Sequence, residues 1–220
     1  MPKKSAFTLI EILVVISIIA LLLSVLMPAL TKARERAHAT VCLSNLRQIG
    51  LAAMLYAESH DELVPRNGGH WILLFMPYLG KKNNLPEDYR HVKIYNCPSH
   101  PDKRQTVDYV VNSWDTDTIE TNGATKLSIF RRPDSKIYLA DNASGWWRPV
   151  ITDEKGLVEY ASLFDVWHLR HLPDSDHHDR TYVRRVARRR HAKGCNAAFL
   201  DGHSQYLRTI EITPKMWRPG

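Results

Sequence analysis

Phe7 to Leu26 is the segment that most constrains this chain. Across these twenty residues only Thr8, Glu11, Ser17 and Ser24 are polar. As a helix rising about 1.5 Å per residue, the run is roughly 30 Å long, which matches the hydrocarbon core of a bilayer. A secretory signal peptide has a shorter apolar core of about 7–15 residues, closed by a small-residue cleavage site. Here the run continues into LTKARERAHATVCLSNLRQIGLAAMLYAESH, a helix-forming stretch with no such stop. The pattern predicts a helix that carries on beyond the membrane. Lys3 and Lys4 precede it, and a basic flank stays on the cytoplasmic side, leaving the C-terminal bulk outside.

Glu11 is the residue that a plain anchor does not explain. A carboxylate in the apolar region costs about 2.5–3.5 kcal/mol at the centre of a bilayer and less near an end. Two counter-charges are available. Lys3 or Lys4 can snorkel towards it, or a cut between Ala6 and Phe7 can free an α-amine four residues away. In an assembly that amine would pair with Glu11 of a neighbouring copy.

KKSAFTLIEILVV resembles the type III signal of type IV pilins and type II secretion pseudopilins. It has a basic leader, a small residue, Phe, Glu at the fifth mature position, and then a long apolar helix. Those families usually carry Gly before the cut, and this chain has Ala6. The resemblance implies that prepilin peptidase cuts after Ala6 and N-methylates Phe7. It implies a single-pass protein of the inner (cytoplasmic) membrane with a periplasmic or otherwise extracytoplasmic head. Its partners would be other pilin or pseudopilin subunits, packed by their apolar helices into a filament, and the secretion or pilus assembly platform. Pro28 matches a kink position of pilin helices, since proline lacks the N–H and crowds the preceding turn.

The expected organisation is a leader at 1–6, a membrane and filament-core helix at 7–27, its amphipathic continuation at 28–60, and a globular head at 61–220. In the continuation, Leu30, Ala33, Ala37, Val41, Leu43, Leu46, Ile49, Leu51, Ala53 and Leu55 form a broad apolar stripe suited to packing on a sheet. Pro65, Asn67, Gly68 and Gly69 break the pattern. WILLFMPYLG (71–80) reads as helix. HVKIYNC (91–97), TVDYVVNSW (106–114) and DSKIYLADNA (134–143) read as strands. GCNAAFLDGHSQYL (194–207) reads as a hairpin about an Asp-Gly turn. Residues 144–190 read as an elaborated surface loop. One long helix followed by short strands predicts an α+β fold of pilin-like layout, the helix packed on a small antiparallel sheet.

Further landmarks narrow the resemblance. CLSNLRQIGLAAMLYA, LVP, YNCPSH, YVVN, LADN and a terminal His191, nine residues, Asp201-Gly202 resemble the prepilin-type set with a C-terminal H-X9-DG motif, abundant in planctomycetes, verrucomicrobia and lentisphaerae. The role of that set is poorly defined, so the resemblance implies architecture more than task.

Several side chains invite chemistry. His191, Asp201 and His203 carry donors suited to zinc or another divalent cation. The structural alternative has Asp201 capping the turn, Gly202 supplying positive φ, and His191 bonding across the hairpin. Major pseudopilins of type II systems hold calcium in a C-terminal loop. This chain has acidic loops there, but no ligand set aligns. HLRHLPDSDHHDR (168–180) is rich in His and Asp without the spacing of a named site. The chain has a net charge of +7, and RTYVRRVARRRH (180–191) concentrates arginine. Arg184, Arg185, Arg188 and Arg189 could contact DNA phosphates, acidic lipid or a neighbouring subunit. The Trp146–Trp147 pair would stack on sugar or base if exposed. Outside the cytoplasm a Cys42–Cys97 disulfide is permitted and would staple sheet to helix; Cys195 would then be left over. No Ser-His-Asp set or Gly-rich phosphate loop is visible.

Three classes therefore stand. The first is a non-enzymatic pilin-like subunit, the second an anchored metal-dependent hydrolase built on His191, Asp201 and His203, and the third a DNA- or glycan-binding module.

Overall fold

The computed structural model describes residues 8–66, 70–80, 86–114, 124–145, 149–173 and 184–219. The chain divides into two units, residues 1–37 and 38–220. Helix α1 (Leu9–Glu58) runs through Pro28 as one element. In the first unit every described residue, from Thr8 to Ala37, is exposed. The length and composition of this stretch suit a membrane span.

The second unit is an α+β head. A five-stranded sheet runs in the order β5-β2-β4-β6-β7. Its strands are β2 (Tyr109–Asn112), β4 (Ile137–Asp141), β5 (Asp165–Val166), β6 (Gly194–Phe199) and β7 (Ser204–Arg208). β5 runs parallel to β2, and the other pairs are antiparallel. A separate two-stranded ribbon joins β1 (Leu63–Pro65) to β3 (Ala124–Lys126). Two short helices, α2 (His70–Phe75) and α3 (Glu154–Glu159), complete the regular structure.

The inner strands β2, β4 and β6 are covered on both faces, which is why they read as largely apolar runs. On one face Cys42, Leu46, Ile49 and Ala53 of α1 join a core with Tyr109, Val111, Leu139 and Ala198. On the other, Val110, Ala140, Cys195, Ala197 and Phe199 pack with Val166, Val186 and the C-terminal Trp217. Alternation along β2 and β6 assigns each residue to its side. Gly50 lets α1 approach the hairpin closely: a Cβ there would lie 3.4 Å from the Gly202 carbonyl oxygen and 3.6 Å from Ala198 Cβ.

Three local expectations are corrected. Residues 91–97 are not a strand; short 3-10 helices occupy Pro86–His91 and Lys93–Tyr95. Val92 and Tyr95 are both buried, and a spacing of three places side chains on one edge of a 3-10 turn. Residues 144–190 are more than a surface loop. Their described parts supply α3, β5 and the buried Ile151, Leu157, Phe164, Val166, Leu172 and Val186. In α1, Val41, Leu51 and Leu55 stay about half exposed, while Cys42, Asn45, Gly50, Ala52 and Ala57 are buried instead. The side facing the sheet takes small residues because the helix lies close to it.

Candidate functional site

At the start of α1 the sequence TLIE forms a capping box. Thr8 stands at the N-cap, and its backbone N–H and hydroxyl both donate to Glu11 Oε2, at 2.8 and 2.7 Å. In return Glu11 N–H donates to Thr8 Oγ1 at 3.3 Å. The pair satisfies donors that every helix start leaves orphaned. Further along, the Ser17 hydroxyl donates to the Leu13 carbonyl and the Ser24 hydroxyl to the Leu21 carbonyl. The hydroxyls of the apolar run are therefore satisfied within their own helix, as a lipid environment requires. Ala6 and Phe7 lie outside the described residues.

The head holds a buried polar cluster. Asp141, at the end of β4, is fully buried, and its Oδ2 lies 3.2 Å from His191 Nε2. The same oxygen accepts the Asn196 N–H at 2.6 Å. Asp108, just before β2, accepts the Cys97 N–H at 2.7 Å through Oδ2, and its Oδ1 lies 3.6 Å from His100 Nε2. Tyr109 and Asp141 are register partners, so sheet pairing brings the two carboxylates into one region. Burial pushes the Asp108 carboxyl up to about 7 and the His100 imidazole down to about 4. It also lowers the Arg190 guanidinium, while Asp141 and Asp108 oppose that shift. Asp141 Oδ1, Asp108 Oδ1 and His191 Nδ1 are buried and have no hydrogen-bond partner among the described residues. Each such group costs about 1–3 kcal/mol, which marks the cluster as more than packing.

Cys42 and Cys97 are joined by a disulfide, with Cα atoms 5.0 Å apart. Cys97 Sγ lies 3.6 Å from His191 Nε2, so the disulfide abuts the polar cluster. Cys195 is a buried free thiol, and burial raises its pKa well above the usual value.

His191, Asp201 and His203 do not form one ligand set. His191 is buried against Asp141 and Cys97. Asp201 and His203 sit in the exposed hairpin turn, where His203 Nδ1 is 2.5 Å from Asp201 Oδ1 and the ring stacks on Phe199 at 4.3 Å. Asp201 Oδ1 also accepts the His203 N–H, and Gly202 adopts φ +86°. The reason is topological: His191 precedes β6, whereas Asp201 and His203 follow it at the other end.

The arginine run is not wholly a solvent-facing loop. Arg185 is buried and donates to the Asp165 carbonyl at 2.6 Å. Arg190 points inward, donating to the Asn142 carbonyl. Arg184, Arg188 and Arg189 line an open cleft of about 490 Å³ with Ser144. Of the His-rich stretch, His171 is buried and its Nδ1 accepts the Trp167 N–H; residues 174–180 lie outside the described residues. So does the Trp146–Trp147 pair.

Sequence reasoning missed the capping box, although T-x-x-E before an apolar run is a readable signal. It also missed Asp141, Asp108 and Arg190. An Asp closing the buried strand IYLAD was a signal for the first.

Residues 1–27 match the family described as the prokaryotic N-terminal methylation motif. No curated protein matches the chain, and no solved structure does. The chain thus combines a prepilin-type N-terminal segment, a long apolar helix and an α+β head. That combination is pilin-like and suits a membrane-anchored protein.

Proposed function

We propose that this protein is a structural, non-enzymatic pseudopilin or minor-pilin subunit. Prepilin peptidase cuts between Ala6 and Phe7 and N-methylates Phe7. The mature chain sits in the inner membrane with its head outside the cytoplasm, then enters a type II secretion-like or type IV pilus-like filament through its N-terminal helix. The head belongs with the H-X9-DG set of prepilin-type proteins. The observation carrying this reading is the methylation motif at residues 1–27 on a helix whose large apolar side chains from Leu9 to Leu30 are exposed. The dispersal of His191, Asp201 and His203 supports a structural role over a hydrolase.

Glu11 has two candidate duties, and two variants separate them. Gln serves a capping box as Glu does but carries no charge to offer a neighbouring Phe7 amine. Filament incorporation is measured after N-terminal mass spectrometry of the membrane-extracted protein confirms a chain starting at N-methylated Phe7. Both Glu11→Gln and Glu11→Ala should insert and be processed but fail to incorporate. Normal incorporation of Glu11→Gln would sink the ion pair and leave capping as the duty. A wild-type chain retaining Met1 through Ala6 in a processing-competent host would sink the whole reading.

A further inference from the structure

Among the described residues, Cys42 Sγ, Cys97 Sγ and His191 Nε2 lie within 4.8 Å of one another, all buried. Nε2 is also 3.2 Å from Asp141 Oδ2. The other oxygen of Asp141 is buried and has no hydrogen-bond partner among the described residues. We infer that the disulfide is one of two states of this site, and that the reduced pair of thiols, with His191 and the Asp141 carboxylate, forms a zinc site.

Two edges of the donor set already have the right length. With Zn–S near 2.3 Å and Zn–N near 2.0–2.1 Å, a tetrahedral centre separates a sulfur from a nitrogen ligand by about 3.5 Å. Cys97 Sγ and His191 Nε2 are already 3.6 Å apart. A nitrogen–oxygen edge is about 3.3 Å on the same lengths, and His191 Nε2 stands 3.2 Å from Asp141 Oδ2. The remaining movements are separation of the two sulfurs to about 3.8 Å and approach of the Asp141 carboxylate, which lies outside the 4.8 Å group, towards them. Two thiolates, an imidazole and a carboxylate are donors zinc accepts.

The step balances with a thiol-class reductant. Two external thiols reduce the Cys42–Cys97 bond through a mixed disulfide and leave as their own disulfide, having supplied two electrons and two protons. Zinc then displaces the two thiol protons, so binding releases them to solvent. A surface cleft of about 210 Å³, lined by Cys97, Pro98, His100 and Asp108 among others, lies beside the site.

The test uses the purified full-length chain in detergent, under nitrogen. One sample is reduced with a water-soluble phosphine, which leaves no competing thiol, and another is left oxidised. Both receive Zn²⁺, are desalted, and are assayed for metal by mass spectrometry and for free thiols. The reduced chain should retain about one zinc and the oxidised chain almost none. Co²⁺ in place of zinc should show a thiolate charge-transfer band in the reduced sample alone. His191→Ala should abolish retention, Asp141→Asn should weaken affinity about 10–100-fold, and Cys195→Ser should leave it unchanged. No retention by the reduced wild type, equal retention by the oxidised chain, or retention lost with Cys195→Ser but kept with His191→Ala would each overturn the inference. Circular dichroism reads the folded state: a reduced chain that unfolds and recovers on adding zinc supports the site, and one that does not recover overturns it.

Discussion

His100 and Asp108 show how two buried groups can cancel. The Asp108 carboxyl is raised to about 7 by burial, against an ordinary value near 4 in an unfolded chain. A raised value stabilises the fold fully below the unfolded pKa, and that contribution is lost as pH rises through about 7. The His100 imidazole is lowered to about 4 by burial, from about 6.5 unfolded. Its contribution is present above about 6.5 and is lost as pH falls towards 4. Between about pH 4 and 6.5 the pair holds one proton in both states, on Asp108 when folded and on His100 when unfolded, so its net effect is flat. His100→Asn removes the compensation. The variant should lose stability relative to wild type as pH rises from about 4.5 to 6.5, by up to about 1.4 kcal/mol per unit. Urea midpoints of both proteins across that range give the comparison, and a difference that grows more favourable with pH would refute it.

At the scale of elements, β6 and β7 carry the tightest constraint. A Cβ on Gly194 would lie 1.9 Å from the Leu207 carbonyl oxygen, which is backbone and cannot swing away. Gly194→Ala should destabilise the head by about 1–3 kcal/mol or more, the cost of overpacking, with a lowered thermal midpoint as the readout. A midpoint within experimental scatter of wild type would show that the hairpin shifts freely. This hairpin was legible in the sequence, as were β2, β4, α1 and α2, because an Asp-Gly turn, β-branched runs and helical periodicity are local signals. Residues 91–97 misled because a short apolar run suits both alternation and a three-residue spacing. β5 and α3 were hidden for a different reason. Two-residue Asp165–Val166 acquires strand character by pairing with β2, and six-residue α3 is too short to display a period. The ribbon of β1 and β3 joins residues some sixty positions apart, a pairing no local pattern announces.

For the whole molecule, the Cys42–Cys97 bond closes a loop with a sequence separation of 55. A cross-link of that span is worth about 2–4 kcal/mol against the unfolded chain. Replacing both cysteines with alanine should lower denaturant stability by that order in the full-length protein, followed by tryptophan fluorescence in micelles. An unchanged midpoint would mean the core holds α1 to the sheet without the bond. The polar cluster beside the disulfide was only partly legible. Cys42, Cys97 and His191 stood out as residue types, but their convergence with Asp141 and Asp108 depends on sheet register and on where α1 lands. The N-terminal segment was readable because its constraint is linear: one apolar length, one carboxylate, one basic flank. Glu11 Oε2 accepts from both the N–H and the hydroxyl of Thr8. An amine arriving from a neighbouring copy would therefore meet a carboxylate already tethered at one oxygen, and little side-chain freedom would be left to surrender when the two join.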